Sequence, residues 1–99
     1  MSATTKCAEL GITLPSVAAP VADYVPAIQT GSQILTSGQL PFVDGELTAV
    51  GKVGDTVSAE QATEAARTAV LNAIAAAADV AGGLDAIKRV VRVLSLIHI

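Results

Sequence analysis

The chain contains the stretch Ile34-Leu35-Thr36-Ser37-Gly38-Gln39-Leu40-Pro41. Its first residues are aliphatic or β-branched and favour a short buried strand, and the small polar residues and the proline that follow end that strand. A strand end of this kind presents hydroxyls and free backbone N–H groups, and in α/β proteins ligands often bind at strand ends. The stretch therefore predicts a strand followed by a candidate binding loop, although the same pattern occurs in many folds.

Length and composition limit the chain to one small domain. It has 99 residues, of which 52% are hydrophobic and 2% aromatic. A chain this short buries a modest share of its surface, so we expect a thin core, and association with further subunits would hide more apolar area. The net charge is −3 at pH 7. Because there is no basic stripe with interleaved aromatic residues, a nucleic-acid-binding role is disfavoured.

Cysteine content and hydropathy bear on compartment and cofactors. The single cysteine, Cys7, excludes an internal disulfide and a cysteine-based metal cluster, which fits a reducing cytoplasm. No basic region followed by an apolar run begins the chain, and the alanine-rich stretches are interrupted by charges, so neither a secretory signal nor a membrane span is predicted. The carboxylates are scattered without ligand-like spacing, so we expect no metal site.

Glycine, proline and turn residues divide the N-terminal half into short elements. Gly11 is expected to close the first helix, Gly31 separates two strands, and Asp44-Gly45 is a turn signal. The predicted elements are a helix over Ala3–Leu10, an extended arm over Leu14–Pro26, strands over Ala27–Thr30 and Ser32–Thr36, and a short strand over Glu46–Val50.

The second half predicts a long helix. Ser58 is a suitable N-cap, and Gln61 three residues later completes a capping box. Gly82-Gly83 is expected to end the helix. Small and aliphatic residues recur between them at helical spacing and suggest the face that approaches a sheet, namely Ala62, Ala66, Ala69, Val70, Ala73, Ile74, Ala77 and Ala81.

A further strand is predicted over Ala86–Val93, which is rich in β-branched residues. Strand, long helix and strand would form a right-handed crossover unit. A sheet covered by a helix on one face leaves the other face bare, so a missing element or a partner subunit is expected there.

Several motifs together resemble the YjgF/Rid family of small trimeric enamine/imine deaminases. The "TSGQ-P" signature at 36–41 matches, and other markers follow in the family's order over about Leu14–Val93. These markers are Pro20 to Tyr24, Gly31, Gly51-Lys52-Val53-Gly54, Ala65-Ala66-Arg67, Leu71-Asn72, Gly83-Leu84 and Val90-Val91-Arg92-Val93. Residues 10–15, Leu-Gly-Ile-Thr-Leu-Pro, are similar to the branch with a longer N-terminus.

The resemblance implies a chorismate-mutase-like α/β (α+β) fold, with a long helix on one face of a β-sheet that is incomplete here. It also implies homotrimers with ligand clefts between subunits. The implied reaction is hydrolysis of reactive 2-imino or enamino acids to 2-keto acids and ammonia, with no metal or organic cofactor. A soluble, cytoplasmic enzyme with a small-molecule substrate, and with no nucleic-acid or membrane partner, would fit this description.

The resemblance divides the chain into an extension over 1–13, a partial family domain over 14–93, and a tail over 94–99. In family members a second helix and further strands follow the strand predicted over Ala86–Val93. They carry an arginine that grips the substrate carboxylate and a glutamate linked to proton transfer, and neither has a counterpart here. We therefore expect the 99-residue chain itself to be inactive and assign it no catalytic residue. The tail can be written as the codons CTG TCT CTT ATA CAC ATC, which resemble a transposase sequencing adapter. We hypothesise that it is an artefact of a truncated gene, and source DNA with different codons and a genuine stop would refute this.

Three residues are candidates for substrate binding. Tyr24 matches the tyrosine that the family places at its cleft, or else it packs the arm onto the sheet. Ser37 would donate to a substrate carboxylate or position water, or else its hydroxyl satisfies the turn backbone. Gly38 would allow close approach of a ligand, or would adopt a positive φ, and its N–H is a candidate carboxylate donor.

The other polar residues are given surface or structural roles, or at most a weak role in binding. Arg67 is expected on the helix surface, Asn72 is expected to be structural, and Cys7 is expected to be an inert thiol. Arg92 is a weak candidate for carboxylate binding, because its place in the family pattern is not that of the catalytic arginine. His98, the only histidine, lies in the suspect tail and receives no role.

Two other functions remain open at the level of sequence. One is a trimer that binds a small metabolite without turnover, and the other is a ribonuclease or translation inhibitor. An arginine followed by an acidic residue on the last strand of the parent protein would favour catalysis over binding. Salt-sensitive RNA binding would favour the ribonuclease.

Overall fold

A computed structural model describes residues 2–17 and 23–99 of the chain. The described part is an α+β arrangement with two separate two-stranded antiparallel sheets. The predicted fold class is confirmed, although the strands do not join into one sheet. The elements in chain order are α1 (Ala3–Leu10), β1 (Ala27–Thr30), β2 (Gln33–Thr36), β3 (Phe42–Val43), β4 (Glu46–Leu47), α2 (Ala59–Ala81) and a 3₁₀ turn (Leu84–Ala86).

The N-terminal helix has the predicted bounds. Ser2 is the N-cap, and its hydroxyl accepts a hydrogen bond from the N–H of Thr5 at 3.1 Å. Gly11 ends the helix in the left-handed conformation with φ of 70°. None of the α1 residues is buried, so little hydrophobic packing holds this helix to the rest of the molecule.

A carboxylate from the 3₁₀ turn attaches α1 instead. The backbone N–H and the hydroxyl of Thr4 both donate to Oδ1 of Asp85, each at 2.8 Å. Both bonds favour the ionised carboxylate, so the backbone N–H of Thr4, and then its hydroxyl, hold the pKa of Asp85 below its ordinary value of 3.8. The carboxylate also lies at the positive end of the helix, where negative charge is favoured.

Two tight hairpins follow. In the first, β1 pairs with β2, and Ile28 lies opposite Leu35 across a two-residue loop that begins at Gly31 with φ of 60°. In the second, β3 and β4 are joined by Asp44 and Gly45, with φ of 51° and 82°. Two successive positive φ values are typical of a type I′ loop, which explains the Asp-Gly pair. The predicted hairpin and turn are confirmed, although the strand after the turn has only two residues.

The long helix α2 begins and ends where the capping residues predict. The hydroxyl of Ser58 accepts from the N–H of Gln61 at 3.1 Å, and the side chain of Gln61 accepts from the N–H of Ser58 at 2.8 Å. This is the predicted capping box. Gly82 closes the helix after 23 residues with φ of 86°.

The packing face of α2 differs from the predicted stripe. Of that stripe, Ala66 and Val70 are exposed and the other residues are only partly covered. The buried helix residues are Asn72, Ala75, Ala76 and Ala78, which with Val57 form the core among the described residues. Alanine occurs on every side of this helix, so its recurrence alone does not single out one face.

The predicted strand over Ala86–Val93 is wrong. Residues 84–86 form the 3₁₀ turn, and the described chain from 87 onward contains no strand. Ile87 does have extended backbone angles, with φ of −82° and ψ of 120°, but Val90, Val91 and Val93 are exposed. β-Branched residues favour an extended chain, whereas a strand also needs a hydrogen-bonded neighbour. The predicted crossover unit is therefore not closed.

Among the helices of residues 2–17 and 23–99, none combines the length and the hydropathy needed to cross a bilayer.

Candidate functional site

The candidate site is the strand-end loop, defined here as residues Ser37–Phe42, which follows β2 and ends at the first residue of β3. The N–H of Ser37 donates to the carbonyl of Pro26 at 2.8 Å, one position beyond the last pair of the β1–β2 ladder. The loop therefore starts at the open end of the hairpin, opposite the Gly31 turn. Tyr24 precedes Pro26 by two residues, so all three predicted binding residues belong to this end of the hairpin.

The hydroxyl of Ser37 is engaged within the protein. It donates to the carbonyl of Pro26 at 3.1 Å, and the side chain is half-buried. A hydroxyl has one hydrogen and two lone pairs. While Ser37 donates to Pro26 it has no hydrogen for a substrate carboxylate, but its oxygen is able to accept from a water molecule. The structural interpretation of Ser37 is thus observed, and of the two functional ones only water positioning is compatible with this bond.

Gly38 does not adopt a backbone conformation that only glycine can reach. It is exposed, its φ is not positive, and a Cβ placed on it would meet no atom within 4 Å. The alternative prediction of a positive φ at Gly38 is therefore wrong. Its N–H has no hydrogen-bond acceptor among the residues that the structure describes. The backbone conformation at this position does not require glycine, and the N–H of Gly38 has no acceptor among the described residues. Of the two predicted reasons for glycine here, only close approach of a ligand is left.

Tyr24 is 38% exposed. Its phenol makes no hydrogen bond to any residue in the described ranges. The preceding marker residues Pro20, Val21 and Ala22, together with Ala18 and Ala19 of the predicted arm, lie outside the described residues.

Asn72 holds the other end of the loop. Its side-chain nitrogen donates to the carbonyls of Leu40 at 2.9 Å and Phe42 at 3.1 Å. The N–H of Phe42 also donates to Leu40 O at 2.8 Å, which closes a three-residue turn around Pro41. The sequence interpretation of Asn72 as structural is confirmed. Its hydrogen-bond partners were not predicted from the sequence. The one sequence feature that pointed to a special role was an amide side chain within an alanine-rich stretch of helix.

The charged candidates make no hydrogen bond to the loop in the described part of the chain. Arg67, Arg89 and Arg92 are exposed, and the side-chain hydrogen bonds of the loop among the described residues come from Ser37 and Asn72 instead. No group of three or more His, Cys, Asp or Glu side chains in residues 2–17 and 23–99 is arranged to hold a metal ion. Cys7 is a free, half-buried thiol. The loop therefore offers backbone groups, the Ser37 hydroxyl and the Gln39 amide, and no charged side chain of the described residues is hydrogen-bonded to it.

A shallow cavity of about 570 Å³ lies elsewhere, between the arm segment 14–17 and the C-terminal end of α2. Among the described residues that line it, Asp79 is the charged one, beside Gly82 and Gly83. None of the three predicted binding residues lines it, so this cavity and the strand-end loop are separate features.

Comparison with known proteins places the chain in a family. The sequence profile described as "YjgF/chorismate mutase-like, putative endoribonuclease" matches residues 4–99. The chain belongs to the YjgF/chorismate mutase-like family. The family prediction from the strand-end loop and the other markers is thereby confirmed, whereas the division into extension, domain and tail stays a prediction.

Relatives of the YjgF-family chain agree in sequence and fold. The protein TCP17 of Trypanosoma cruzi is 37% identical over 83 residues, which cover 84% of this chain and 52% of TCP17. A crystal structure of a "putative endoribonuclease" from Shewanella oneidensis is 36% identical with a TM-score of 0.78, covering 85% of this chain and 56% of that one. A protein of unknown function from Agrobacterium tumefaciens is 33% identical with a TM-score of 0.65, covering 80% and 46%. The chain thus spans about half the length of each.

Proposed function

We propose that this chain carries one side of a cleft in which a reactive 2-imino or enamino acid is bound and hydrolysed to a 2-keto acid and ammonia. The observation that carries the proposal is Gly38, a glycine without a positive φ, with open space above it and with an N–H that has no acceptor among the described residues. Because the fold does not demand glycine there, close approach of a ligand explains the residue. The family membership and the deaminase signature support the choice of ligand.

The chemistry assigns a separate task to each loop residue. The Gly38 N–H donates to the substrate carboxylate, a charge-assisted contact that is stronger than one between neutral groups. The oxygen of Ser37 accepts from a water molecule and aims it at the C=N carbon. Addition of water gives a carbinolamine, a proton reaches its nitrogen, and the C–N bond breaks to release ammonia and the keto acid. Tyr24 forms a wall of the cleft.

The loop lacks the groups for proton delivery and strong anchoring. No arginine and no carboxylic acid among the described residues is hydrogen-bonded to it. The absence of a charge-assisted contact between an arginine and the substrate carboxylate typically costs about 2–3 kcal/mol of binding free energy. We therefore expect the 99-residue chain to bind a keto acid weakly and to release no ammonia from iminopyruvate. Detectable, protein-dependent ammonia release would refute that expectation.

Assembly into trimers with clefts between subunits is part of the same proposal. Ile28 and Leu35 lie opposite each other in the β1–β2 hairpin, and both are more than half exposed. An apolar cross-strand pair left open on a sheet face supports burial against another copy. Light scattering coupled to gel filtration measures this, and a strictly monomeric chain at high concentration would count against it.

The second candidate is RNA cleavage, which the names of the matching profile and of the Shewanella structure favour. The net charge of −3 opposes it, because RNA binding depends on neutralising phosphates with clustered Lys and Arg. Fluorescence anisotropy with a labelled single-stranded RNA distinguishes the two. Binding that weakens steeply with salt would move the assignment to RNA.

The test of the primary proposal is a titration of ¹⁵N-labelled protein with 2-oxobutanoate, a stable product-type keto acid. We expect saturable shifts at the amides of Ser37 and Gly38. Gly38→Ala should abolish them while leaving the free energy of unfolding unchanged within about 0.5 kcal/mol, since nothing crowds the added methyl group.

Ser32→Ala is the matched control, because Ser32 is an exposed serine at the opposite end of the same hairpin. It should leave the shifts as they are. Saturable binding that survives Gly38→Ala, or shifts confined to the cavity beside α2, would overturn the assignment of the strand-end loop as the binding site.

A further inference from the structure

We propose that Asn72 is a positioning residue of the strand-end loop, whose side-chain amide sets the orientation of Gly38 for the ligand. The inference rests on the proposed function of the loop and adds a residue from α2 to that site. Asn72 itself is not expected to touch the ligand, since its amide is committed to the loop carbonyls.

The Asn72 amide holds the carbonyls of Leu40 and Phe42 together, and we call this arrangement the clamp. One NH₂ group donates both of its hydrogens to two carbonyls two residues apart, at 2.9 Å and 3.1 Å. Both neighbours are carbonyl oxygens, so the nitrogen and not the oxygen of the amide must face them. Leu40 O accepts a second bond from the N–H of Phe42, and Pro41 between them has a fixed φ. The turn 40–42 is therefore held in a single conformation.

The chemistry of the position favours asparagine over the residues around it. Asn72 is 2% exposed, and its buried neighbours on α2 are alanines such as Ala75 and Ala76. An amide without partners is costly to bury, whereas an alanine there would pack with no such cost. Aspartate has the same shape but, when ionised, cannot donate, and alanine has no polar group at all. Only a side chain with two donors on one planar group serves both carbonyls.

The clamp bears directly on Gly38 because the loop is short. Ser37 is tied to Pro26 O at one end and Leu40 is tied to Asn72 at the other, so Gly38 lies between two anchors with only Gln39 separating it from Leu40. A residue suspended this way keeps its N–H in one direction. Loss of the Asn72 hydrogen bonds allows residues 38–42 to reorient, while the hydrogen bond from Ser37 to Pro26 O is kept.

The experiment compares Asn72→Ala and Asn72→Asp with Ser58→Ala in the full 99-residue chain. Ser58→Ala weakens the distant cap of α2 and serves as the stability control. Each folded variant is titrated with 2-oxobutanoate. Without ligand, the chemical shift of the Gly38 amide is recorded, together with the hydrogen exchange of the Phe42 amide, which donates to Leu40 O. We expect both Asn72 variants to weaken binding by about tenfold or more, the effect of losing one good hydrogen bond. We expect Ser58→Ala to leave the Kd unchanged within about twofold.

The outcomes separate this inference from the proposed function. If the native chain does not bind the keto acid, the proposed function fails, yet the Gly38 amide shift and the Phe42 amide exchange of the free protein still test the clamp. A folded Asn72 variant whose Gly38 amide and Kd match those of the native chain would overturn the inference. Should Asn72→Ala and Asn72→Asp both fail to fold, Asn72→Gln keeps the donors on a longer arm. It should then shift the Gly38 amide, and an unshifted amide would again count against the clamp.

Discussion

Two segments of this molecule are each tied to a distant part of the chain by one side chain that makes two hydrogen bonds. Asn72 donates to the strand-end loop 30 and 32 residues away, and Asp85 accepts from Thr4 of α1 81 residues away. The number of bonds is the same, but the surroundings differ. Asn72 is buried among alanines, whereas Asp85 is exposed at the surface.

The difference teaches that burial, and not the count of bonds, decides how firmly a segment is held. Without water nearby, a carbonyl that loses its donor has no replacement, so the full cost of desolvation is felt. At the surface, water takes the place of a lost partner. The strand-end loop should accordingly belong to the cooperative core, and α1 should open locally at little cost.

The largest effect is expected for Asn72→Ala. It removes two part-buried hydrogen bonds of a buried side chain and leaves the carbonyls of Leu40 and Phe42 with fewer donors, which should lower the free energy of unfolding by about 2–3 kcal/mol. Urea denaturation followed by circular dichroism measures the change. A loss below about 0.5 kcal/mol would mean that the buried anchor is no stronger than an exposed one.

A smaller effect is expected for Ser58→Ala, which removes an exposed but local bond. The hydroxyl of Ser58 accepts from the N–H of Gln61, and loss of an N-cap of this type costs about 1 kcal/mol. The same denaturation experiment applies. If Ser58→Ala destabilised the chain more than Asn72→Ala, the ranking by burial would be broken.

Asp85→Ala should change only the N-terminal helix. We expect faster deuterium exchange at the amide of Thr4, with exchange in the middle of α2 unchanged, because α1 has no buried residue to transmit the loss. Native-state hydrogen exchange read out by NMR is the measurement. Accelerated exchange at Ala75 and Ala76 would show that α1 is coupled to the core after all.

The smallest effect is the pH dependence of the exposed anchor. The folded pKa of Asp85 lies below its ordinary value of 3.8, so its contribution is complete above that value and is lost as the pH falls through the lower, folded pKa. The Thr4 amide shift followed by NMR from pH 5 downward should report this loss, whereas the contact of the uncharged Asn72 amide should not titrate.

Asp85→Asn is the control for the titration, since it keeps an acceptor oxygen but cannot ionise. Its Thr4 amide should show no transition in the acid range. A Thr4 transition that persisted in Asp85→Asn would assign the titration to another carboxylate.

The candidate site shows how far sequence reasoning reached. The loop after β2, its glycine and the family were predicted from the residues around Thr36-Ser37-Gly38-Gln39. The hydrogen bond from Ser37 to Pro26 and the clamp from Asn72 were not, because each depends on which carbonyl lies opposite in space. Tyr24 remains a prediction, since its exposure fits both a ligand contact and a packed aromatic.

Sequence by itself determined the elements governed by local rules. The capping box at Ser58 and Gln61, the Asp44-Gly45 loop and the glycine ends of both helices involve residues a few positions apart, so their hydrogen bonds and dihedral angles follow from nearest neighbours. Tertiary structure decided which face of the alanine-rich helix is buried and where the Asn72 amide donates. It also decided that the β-branched segment after Ala86 pairs with no strand in the part of the chain that the structure describes. These features require a particular second segment at hydrogen-bonding distance, and no local pattern specifies what lies across that gap.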